Sequence, residues 1–476
     1  MTGVIEGTVE DAKKAPAGDD GGSLKRGLKA RHVQLIALGG IIGSGYFLGT
    51  GLLIHDNGPA AIISYLLGGL IVYMVMVCLG ELAANRPVEG SFVAYASEYI
   101  SPTVGCGVGW SYWLTWVTYV PTEMLAAGFV MHHFAPVLSD FQWAMAFGAL
   151  ITAMNLMHVG AFGEIEFWLA LLKILAIGMF VILASLIWAG AIGPQGYVGD
   201  AIIREGGGFF PHGIPTIFLT MVLILVNFQG SEIIGIAAAE SEDPENAIPQ
   251  AVRQVSIRII TLYVVPVLLL VSIFPSSEGT ADQSVFAVAL ARYGLPWAGK
   301  VFSFVVLTAA LSCSNGGLYA TSRCVFALAR EGMAPRFLGA LNARGVPHNA
   351  ILTSIAGCWL FLSLRAFLTD GEKLFQTLLA LSGFTGGVAW ISICWSQYNF
   401  RKRLEARGET DTLKFHAPGF PYFTIVALLI QMVSLGVVVF SPDLRIAAII
   451  GTPLLVVPMA VYKLTGGRRG GWYRHH

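Results

Sequence analysis

Charged residues are scarce in this sequence. Only 12% of its 476 residues are Asp, Glu, Lys or Arg, while 55% are hydrophobic, and a soluble domain has about a quarter charged residues. The mean hydropathy of +0.68 points the same way, so we interpret the chain as an integral membrane protein. The 29 basic and 29 acidic residues give no net charge, which argues against nucleic acid as a partner because nucleic-acid-binding surfaces are basic.

Patterns that mark metal sites and enzymes are also missing. The six cysteines lie singly, with no spacing typical of a zinc site or a disulfide framework, so we expect them to be small core residues. The ten histidines form no metal-ligand cluster, and neither H-E-x-x-H nor G-x-S-x-G occurs. Residues 294–300 read GLPWAGK, but Val301 stands where a phosphate-binding loop needs Ser or Thr. The sequence predicts no catalytic residue, metal or cofactor.

Long apolar runs are abundant. Crossing the hydrocarbon core takes about 20 apolar residues, and we predict twelve spans on that basis. They lie near residues 32–53, 60–83, 104–132, 142–159, 166–190, 214–239, 257–275, 297–329, 350–368, 375–399, 422–440 and 445–463. These form one transmembrane domain over residues 31–465, with a disordered polar tail at 1–30 and a second tail at 466–476.

The basic residues of the loops predict the orientation. With the N-terminus in the cytoplasm, 21 of the 29 Lys and Arg residues fall inside and 6 outside. The positive-inside rule therefore predicts that both tails are cytoplasmic. The two remaining basic residues, Lys173 and Arg323, lie within apolar spans.

The first span contains more glycine than a membrane helix needs. Residues 35–51 read LIALGGIIGSGYFLGTG, with six glycines in seventeen positions. Glycine loosens a helix, and unpaired backbone within a membrane is tolerated only where it lines a cavity or meets a ligand. We therefore predict a break in this helix at residues 39–45.

A second break is predicted in the sixth span. There the apolar run is interrupted by Asn227, Gln229, Gly230, Ser231 and Glu232. Breaks at matching positions of two five-helix halves are typical of inverted-repeat transporters. The predicted fold is thus all-α with twelve transmembrane helices, discontinuous helices 1 and 6, and a five-plus-five inverted repeat. Repeat one covers about 32–190 and repeat two about 214–399, with accessory helices at about 422–463.

The two breaks together suit a zwitterion. Amides at the first break (Ile42, Gly43, Ser44 and Gly45) would bind a carboxylate near a half-helix N-terminus. Carbonyls at the second break, around Asn227, Phe228 and Gly230, would accept from an ammonium group. In the alternative interpretation, the glycines only let helices pack closely.

Three buried charges are candidates for a role because a charge within a membrane helix is costly. Glu232 would bind the substrate ammonium, carry a proton, or pair with a buried cation. Glu123 would line the site, since Pro121 weakens its helix nearby, or form a bond between helices. Lys173 would carry the coupled proton or replace a bound sodium ion, unless it extends to the inner interface.

Two other polar stretches stand out. Ser312, Ser314 and Asn315 form a polar cluster in the eighth span, and we expect Ser312 and Asn315 to face the site. We interpret Arg323 in the same span as a structural partner of an acid or of loop carbonyls. Residues 240–254, ESEDPENAIPQAVRQ, look like a helix cap and an amphipathic lid, or a solvated loop.

Several long motifs resemble bacterial amino-acid permeases of the amino acid–polyamine–organocation superfamily, in its amino acid transporter branch. The motifs are LKARHVQLIALGGIIGSGYFLGTG, GELAANRPVEGSFVAYA, FGEIEFWLALLKI, FQGSEIIGIAAAESEDPENAIPQA and YATSRCVFALAREGMAP. The resemblance implies proton-coupled uptake of an amino acid across the bacterial inner membrane. It also implies that Gly43, Ser44 and Gly45 hold the carboxylate, that Phe228 and adjacent carbonyls hold the amine, and that Lys173 occupies a sodium-like position.

The substrate is less defined by these motifs. They resemble lysine, 4-aminobutyrate and S-methylmethionine permeases in different places, and Tyr46 replaces the usual Leu or Phe. Glu123 and Glu232 in one pocket favour a cationic amino acid such as lysine. An exchanger of the same fold is the alternative within transport. A membrane sensor would need a larger soluble domain than the chain's short polar stretches provide.

Overall fold

The computed structural model describes residues 42–156, 162–193, 208–237, 244–280, 283–342, 345–368, 370–442 and 444–465. Within these ranges the chain forms helices joined by loops and turns, without a β-strand. Both predicted tails, the first part of the first predicted span, residues 238–239 of the sixth predicted span and residues 240–243 of the predicted lid lie outside the described residues.

The helices differ widely in length, from a single turn to 37 residues. The first nine are α1 (Ser44–Phe47), α2 (Gly49–Asn57), α3 (Ala61–Asn85), α4 (Phe92–Tyr99), α5 (Pro102–Phe134), α6 (Asp140–Leu156), α7 (Phe162–Trp188), α8 (Pro215–Leu219) and α9 (Met221–Val226). They are followed by α10 (Ile233–Ala237), α11 (Pro244–Ile259), α12 (Val265–Ile273), α13 (Val285–Arg292), α14 (Pro296–Arg330), α15 (His348–Ser363), α16 (Gly371–Arg407), α17 (Tyr422–Val437) and α18 (Arg445–Leu464).

Long apolar helices confirm the prediction of an integral membrane protein. Eight stretches of the described residues are helical, long and apolar enough to cross a bilayer. They are Ser44–Asn85, Trp168–Trp188, Ile248–Ile273, Pro296–Arg330, His348–Ala366, Gly371–Arg407, Tyr422–Phe440 and Arg445–Leu464. The helix α5, at 33 residues, is also long enough to span the hydrocarbon core at about 1.5 Å per residue.

The structure differs from the predicted helices in three places. Helix α16 continues to Arg407, past the predicted end at residue 399, and Gly408 ends it in a left-handed conformation. Much of the predicted lid is helix α11, which joins α12 through a π-helical turn, Ile260–Val264. The short helices α4 and α13 were not predicted, because eight residues carry too little periodicity to be recognised.

The central element is α5, which packs against α4, α6, α14, α15, α16 and α18. Two glycines allow this close approach. A Cβ at Gly107 would lie 2.5 Å from Met459 Cγ, and one at Gly109 would lie 2.5 Å from Leu328 Cδ2. Small residues serve the same purpose at many helix contacts in membranes.

All six cysteines are buried and form no disulfide, as predicted.

The bundle has two polar ends. At the first, which we call the Arg401 face, buried Glu81 accepts from Arg401 and from Gln397 (2.9 Å), and also from the backbone of Ala417 (2.6 Å). This ion pair joins α3 to α16 and to the segment before α17. At the other end, the Asp140 face, Asp140 pairs with Arg365 at 2.9 Å.

Candidate functional site

The first break ends at Ser44. Ile42 and Gly43 are not helical, and Gly43 has an extended backbone (φ −115°, ψ −169°) before α1 begins. Residues 39–41 of the predicted break lie outside the described residues. Since Ser44 and Gly45 occupy the first helical turn, their amides point away from the helix without partners in it.

The amide of Ser44 is occupied by a carboxylate of the protein itself. Its N–H donates to both oxygens of Glu123, at 3.0 Å and 2.9 Å. Both residues are fully buried. Glu123 reaches this position from α5, which stays helical through Pro121. The structure therefore brings Glu123 together with Gly43 and Ser44, at the position where the sequence predicts an anion.

Space at the first break is tightly filled. A Cβ on Gly43 would collide with the carboxylate of Glu123 and lie 2.7 Å from the hydroxyl of Tyr119 and 2.9 Å from Sγ of Cys313. Helices α5 and α14 thus close around the backbone at this glycine. Only a residue without a side chain fits here.

Lys173 completes the charge distribution beside Glu123. Its fully buried ammonium donates to the Ser312 hydroxyl at 2.8 Å, joining α7 to α14. The next residue of α14, Cys313, has its Sγ 2.9 Å from the Cβ position of Gly43, so the buried charge of Lys173 lies near the first break. Lys173 is therefore buried inside the bundle and does not extend to an interface.

The second break covers residues 227–232, as the sequence predicts. Between α9 and α10 the chain forms tight turns, and Gly230 takes φ 104°, which favours glycine. The carbonyl of Phe228 accepts from the hydroxyl of Ser231 at 2.8 Å, and that of Asn227 accepts from Tyr263 at 3.2 Å. Asn227 is the better candidate ligand because its side-chain oxygen Oδ1 is buried without a hydrogen-bond partner among the described residues.

Neutral donors surround Glu232. Its carboxylate accepts from the Tyr112 hydroxyl at 2.9 Å, from Trp390 Nε1 at 3.0 Å and from the Gly230 amide at 3.1 Å. The side chain is 1% exposed. Through these bonds Glu232 connects α5, α16 and the second break. Because all of the donors are neutral, they stabilise the ionised carboxylate without cancelling its negative charge.

The two breaks meet at Asn227. A Cβ on Gly45 would lie 3.0 Å from Asn227 Oδ1 and 3.1 Å from the Tyr119 hydroxyl. The amide nitrogen of Asn227 donates to the Tyr65 hydroxyl at 2.8 Å, which lies 2.6 Å from the Thr50 hydroxyl. Backbone amides from one broken helix and acceptors from the other are therefore neighbours.

A group of buried aromatic rings, here called the aromatic layer, packs beside the breaks. Phe228 lies 4.5 Å from Tyr263 between ring centroids, and Tyr46 lies 4.7 Å from Tyr263 and 5.2 Å from Phe286. All four side chains are at most 2% exposed. The Tyr263 hydroxyl of this layer donates to the Asn227 carbonyl, so the layer packs directly against the second break.

The remaining candidates on α14 divide between two regions. Ser314 and Asn315 are buried near the middle of the helix, and the Ser314 hydroxyl has no hydrogen-bond partner in the described part of the chain. Arg323 stacks on Tyr319 at 3.8 Å and donates to Ser322 at 3.3 Å. Both of these contacts are with its own helix.

Sequence reasoning missed the face of α5 that lines both breaks. Tyr112, Trp116, Tyr119 and Glu123 are spaced by four, three and four residues, so they lie on one side of the helix. Tyr112 bonds Glu232 at the second break and Glu123 bonds Ser44 at the first. The helical spacing of these aromatic residues from Glu123 could have indicated that they face the site. No feature of the sequence indicated that Trp390 contacts Glu232.

The fold and this buried site are those of an integral membrane protein, and comparison with known proteins identifies the family. The family model for amino acid permeases matches residues 32–469. The amino-acid permease RocE of Bacillus subtilis is 38% identical, over 95% of this chain and 97% of the relative. RocC of the same organism is 38% identical over 94% and 96%, and the aromatic amino acid transport protein AroP of Escherichia coli is 36% identical over 92% and 94%. The chain belongs to the amino acid permease family, a family of transporters and not of enzymes.

Proposed function

We propose that this protein is a secondary transporter that imports an amino acid with a proton, and that the substrate binds between the two breaks. The carrying observation is the carboxylate at Ser44. The backbone amide at the start of α1 holds Glu123 through two contacts of 2.9–3.0 Å. A site that binds one carboxylate in the membrane interior has the chemistry to bind another.

The ammonium end of the substrate lies toward the second break. Asn227 supplies the acceptors, namely its unpartnered Oδ1 and its carbonyl, which has a lone pair beyond the one used by Tyr263. Because Asn227 lies beside Gly45, one α-amino acid reaches both groups. Phe228 covers the substrate on the side of the aromatic layer.

Proton coupling follows from competition at Ser44. Substrate carboxylate and ionised Glu123 cannot share the same amide, so the substrate displaces Glu123. A proton neutralises the displaced carboxylate, which otherwise remains buried and charged at a high energetic cost. Lys173, whose ammonium donates to Ser312, then releases a proton to the cytoplasmic side and takes up the proton of Glu123 in its place.

The charge balance favours a cationic amino acid. Before the substrate and its proton enter, ionised Glu123 and Glu232 together with Lys173 carry one net negative charge among the buried groups next to the breaks. That charge attracts a substrate with a second positive charge, such as lysine or arginine. The name of AroP points instead to aromatic substrates, and those amino acids are the main competitors to test.

Twelve spans and an inverted repeat complete the proposal. The breaks lie in the first and sixth predicted spans, which supports two five-helix halves that rock around a fixed site. The Arg401 face carries Arg86, Arg401, Lys402, Arg403 and Arg407, so the positive-inside rule favours a cytoplasmic position for it and for both termini in the bacterial inner membrane.

A ligand screen tests this function. Purified full-length protein is heated with each of the twenty amino acids, ornithine, 4-aminobutyrate and S-methylmethionine, because binding to the folded state raises its melting temperature. We expect lysine, arginine and ornithine to give the largest increases. Stabilisation by aromatic amino acids alone would contradict the cationic assignment, and no stabilisation by any compound would contradict the site.

A further inference from the structure

A basic pocket lies on the Arg401 face, away from the two breaks. It has a volume of about 290 Å³ and is bounded by the end of α3, by α4, by the end of α16 and by residues 412–414. Its floor is apolar: Phe400 and Leu413 are each 8% exposed, and Phe400 packs on Tyr99 with 5.3 Å between centroids. The pocket therefore combines an apolar base with a polar rim.

The rim carries an excess of positive charge. Four basic residues line it, Arg86, Arg403, Arg407 and Lys414, against a single acid, Glu98. The charge of Glu98 is already paired with Arg86. Arg403 and Arg407 have no ion-pair partner in the part of the chain that the structure describes, so the pocket offers two positive charges at which an anion would bind favourably.

Two of the arginines are held in place by the pocket itself. Nη1 of Arg86 donates to Glu98 and to the Tyr99 hydroxyl (3.1 Å), and Nη2 of Arg403 donates to the carbonyl of Glu98 at 3.0 Å. Arg403 also stacks over Tyr99 at 5.1 Å. Each guanidinium has five N–H donors, so donors remain on a fixed, planar group, which suits the oxygens of a phosphate.

The length of α16 and its exposed tryptophan indicate that the pocket lies beyond the hydrocarbon core, near the membrane surface. Helix α16 has 37 residues and is therefore roughly 55 Å long, well beyond the ~30 Å of the hydrocarbon core. Trp395 on this helix is 45% exposed, as is typical of tryptophans at the membrane interface. Arg403 lies eight residues further along, or about 12 Å closer to the end of the helix.

We propose that this pocket binds a phosphate group, presented by an anionic phospholipid of the adjacent leaflet. Basic pockets between helices at the cytoplasmic side of a membrane are suited to such headgroups. The apolar floor accommodates the glycerol part next to the phosphate. Bound lipid would bridge α3, α4 and α16, and so stabilise the cytoplasmic end of the bundle.

Native mass spectrometry of the full chain, purified from nanodiscs containing phosphatidylcholine and phosphatidylglycerol, tests the proposal. The wild type is expected to retain phosphatidylglycerol preferentially. The double variant Arg403→Gln, Arg407→Gln should lose affinity by on the order of fivefold per arginine. Lys402→Gln is the matched control, because Lys402 is on the same helix end and pairs with exposed Glu405 outside the pocket; it should retain the lipid.

Two results would overturn the proposal. One is equal lipid retention by the wild type, the double variant and the control. The other is protection against heating by inorganic phosphate in lipid-free detergent, lost in the double variant, together with no preference for phosphatidylglycerol. That second result would assign the pocket to a soluble phosphate compound. Melting curves of each variant establish that it is folded.

Discussion

Gly43 is the most constrained residue at the first break. Its Cα faces the Glu123 carboxylate, the Tyr119 hydroxyl and Cys313, so that an added Cβ has no free volume. Backbone and side chains there are held within contact distance. In the proposed mechanism this close approach is what lets Ser44 exchange one carboxylate for another.

Gly43→Ala is therefore expected to impair substrate binding. Overpacking of this kind costs about 1–3 kcal/mol, which corresponds to a loss of affinity of roughly 5- to 150-fold. The melting temperature of the variant, titrated with the most stabilising amino acid, measures the change. Gly178→Ala in α7 is the control, because its Cβ would meet no atom within 4 Å. Equal affinities of the two variants would contradict the constraint.

Glu232 stabilises the fold through its hydrogen bonds and, in the proposed mechanism, supplies a negative charge. Replacement by Gln separates these two roles. Its carboxylate accepts from Tyr112, Trp390 and the Gly230 amide. In Gln, the NH₂ group cannot accept one of these bonds, so a buried donor loses its partner, at a cost of about 1–3 kcal/mol. The shape of the side chain is otherwise preserved, and the protein is expected to fold.

We predict that Glu232→Gln abolishes amino acid uptake while the protein still unfolds cooperatively, at a lower temperature. Uptake into proteoliposomes and melting curves measure the two effects. Glu405→Gln, which changes an exposed acid on α16, should leave both unchanged. Near-normal uptake by Glu232→Gln would rule out its proposed role in transport.

At the scale of elements, the site depends on helices α5, α7 and α14, which approach the two breaks from distant parts of the chain. One face of α5 contacts both breaks, through Glu123 and Tyr112. Helix α14 contacts the first break through Cys313 and contacts α7 through Ser312. A change of position of the first broken helix therefore alters the surroundings of Glu123 and, through α14, those of Lys173.

Lys173→Ala tests this link between elements. We expect uptake to lose most of its dependence on external pH, while the amino acid still raises the melting temperature. The reason is that alanine removes the charge beside Glu123 but leaves the backbone of both breaks intact. Ser312→Ala, which removes the hydroxyl that accepts from Lys173 at 2.8 Å but keeps the lysine charge, should keep the pH dependence. Unchanged pH dependence in Lys173→Ala would contradict a coupling role.

At the scale of the whole molecule, much of the architecture was predictable from patterns within single helices. The polar interruption at residues 227–232 predicted the second break at its observed position. The partners of Glu232 were not predictable. Tyr112 and Trp390 lie 120 and 158 residues away in the sequence, and their contacts depend on tertiary packing that a single sequence does not reveal.

The contact between Glu123 and the first break was not predictable from the sequence either. Glycine density predicted exposed amides near Ser44, and Pro121 drew attention to Glu123, but the 79 residues between Ser44 and Glu123 gave no sign of their contact. The end of α16 was also missed, because the residues after 399 are charged and no longer resemble a membrane segment. A helix can continue beyond the bilayer, where hydropathy gives no signal.

Uptake of the stabilising amino acid into proteoliposomes, with and without an inward proton gradient, tests the central claim most directly. The account predicts accumulation above the external concentration when the outside is acidic, and its collapse on addition of an uncoupler. Uptake that ignores the gradient but requires amino acid inside the vesicles would contradict it and assign the protein to exchange.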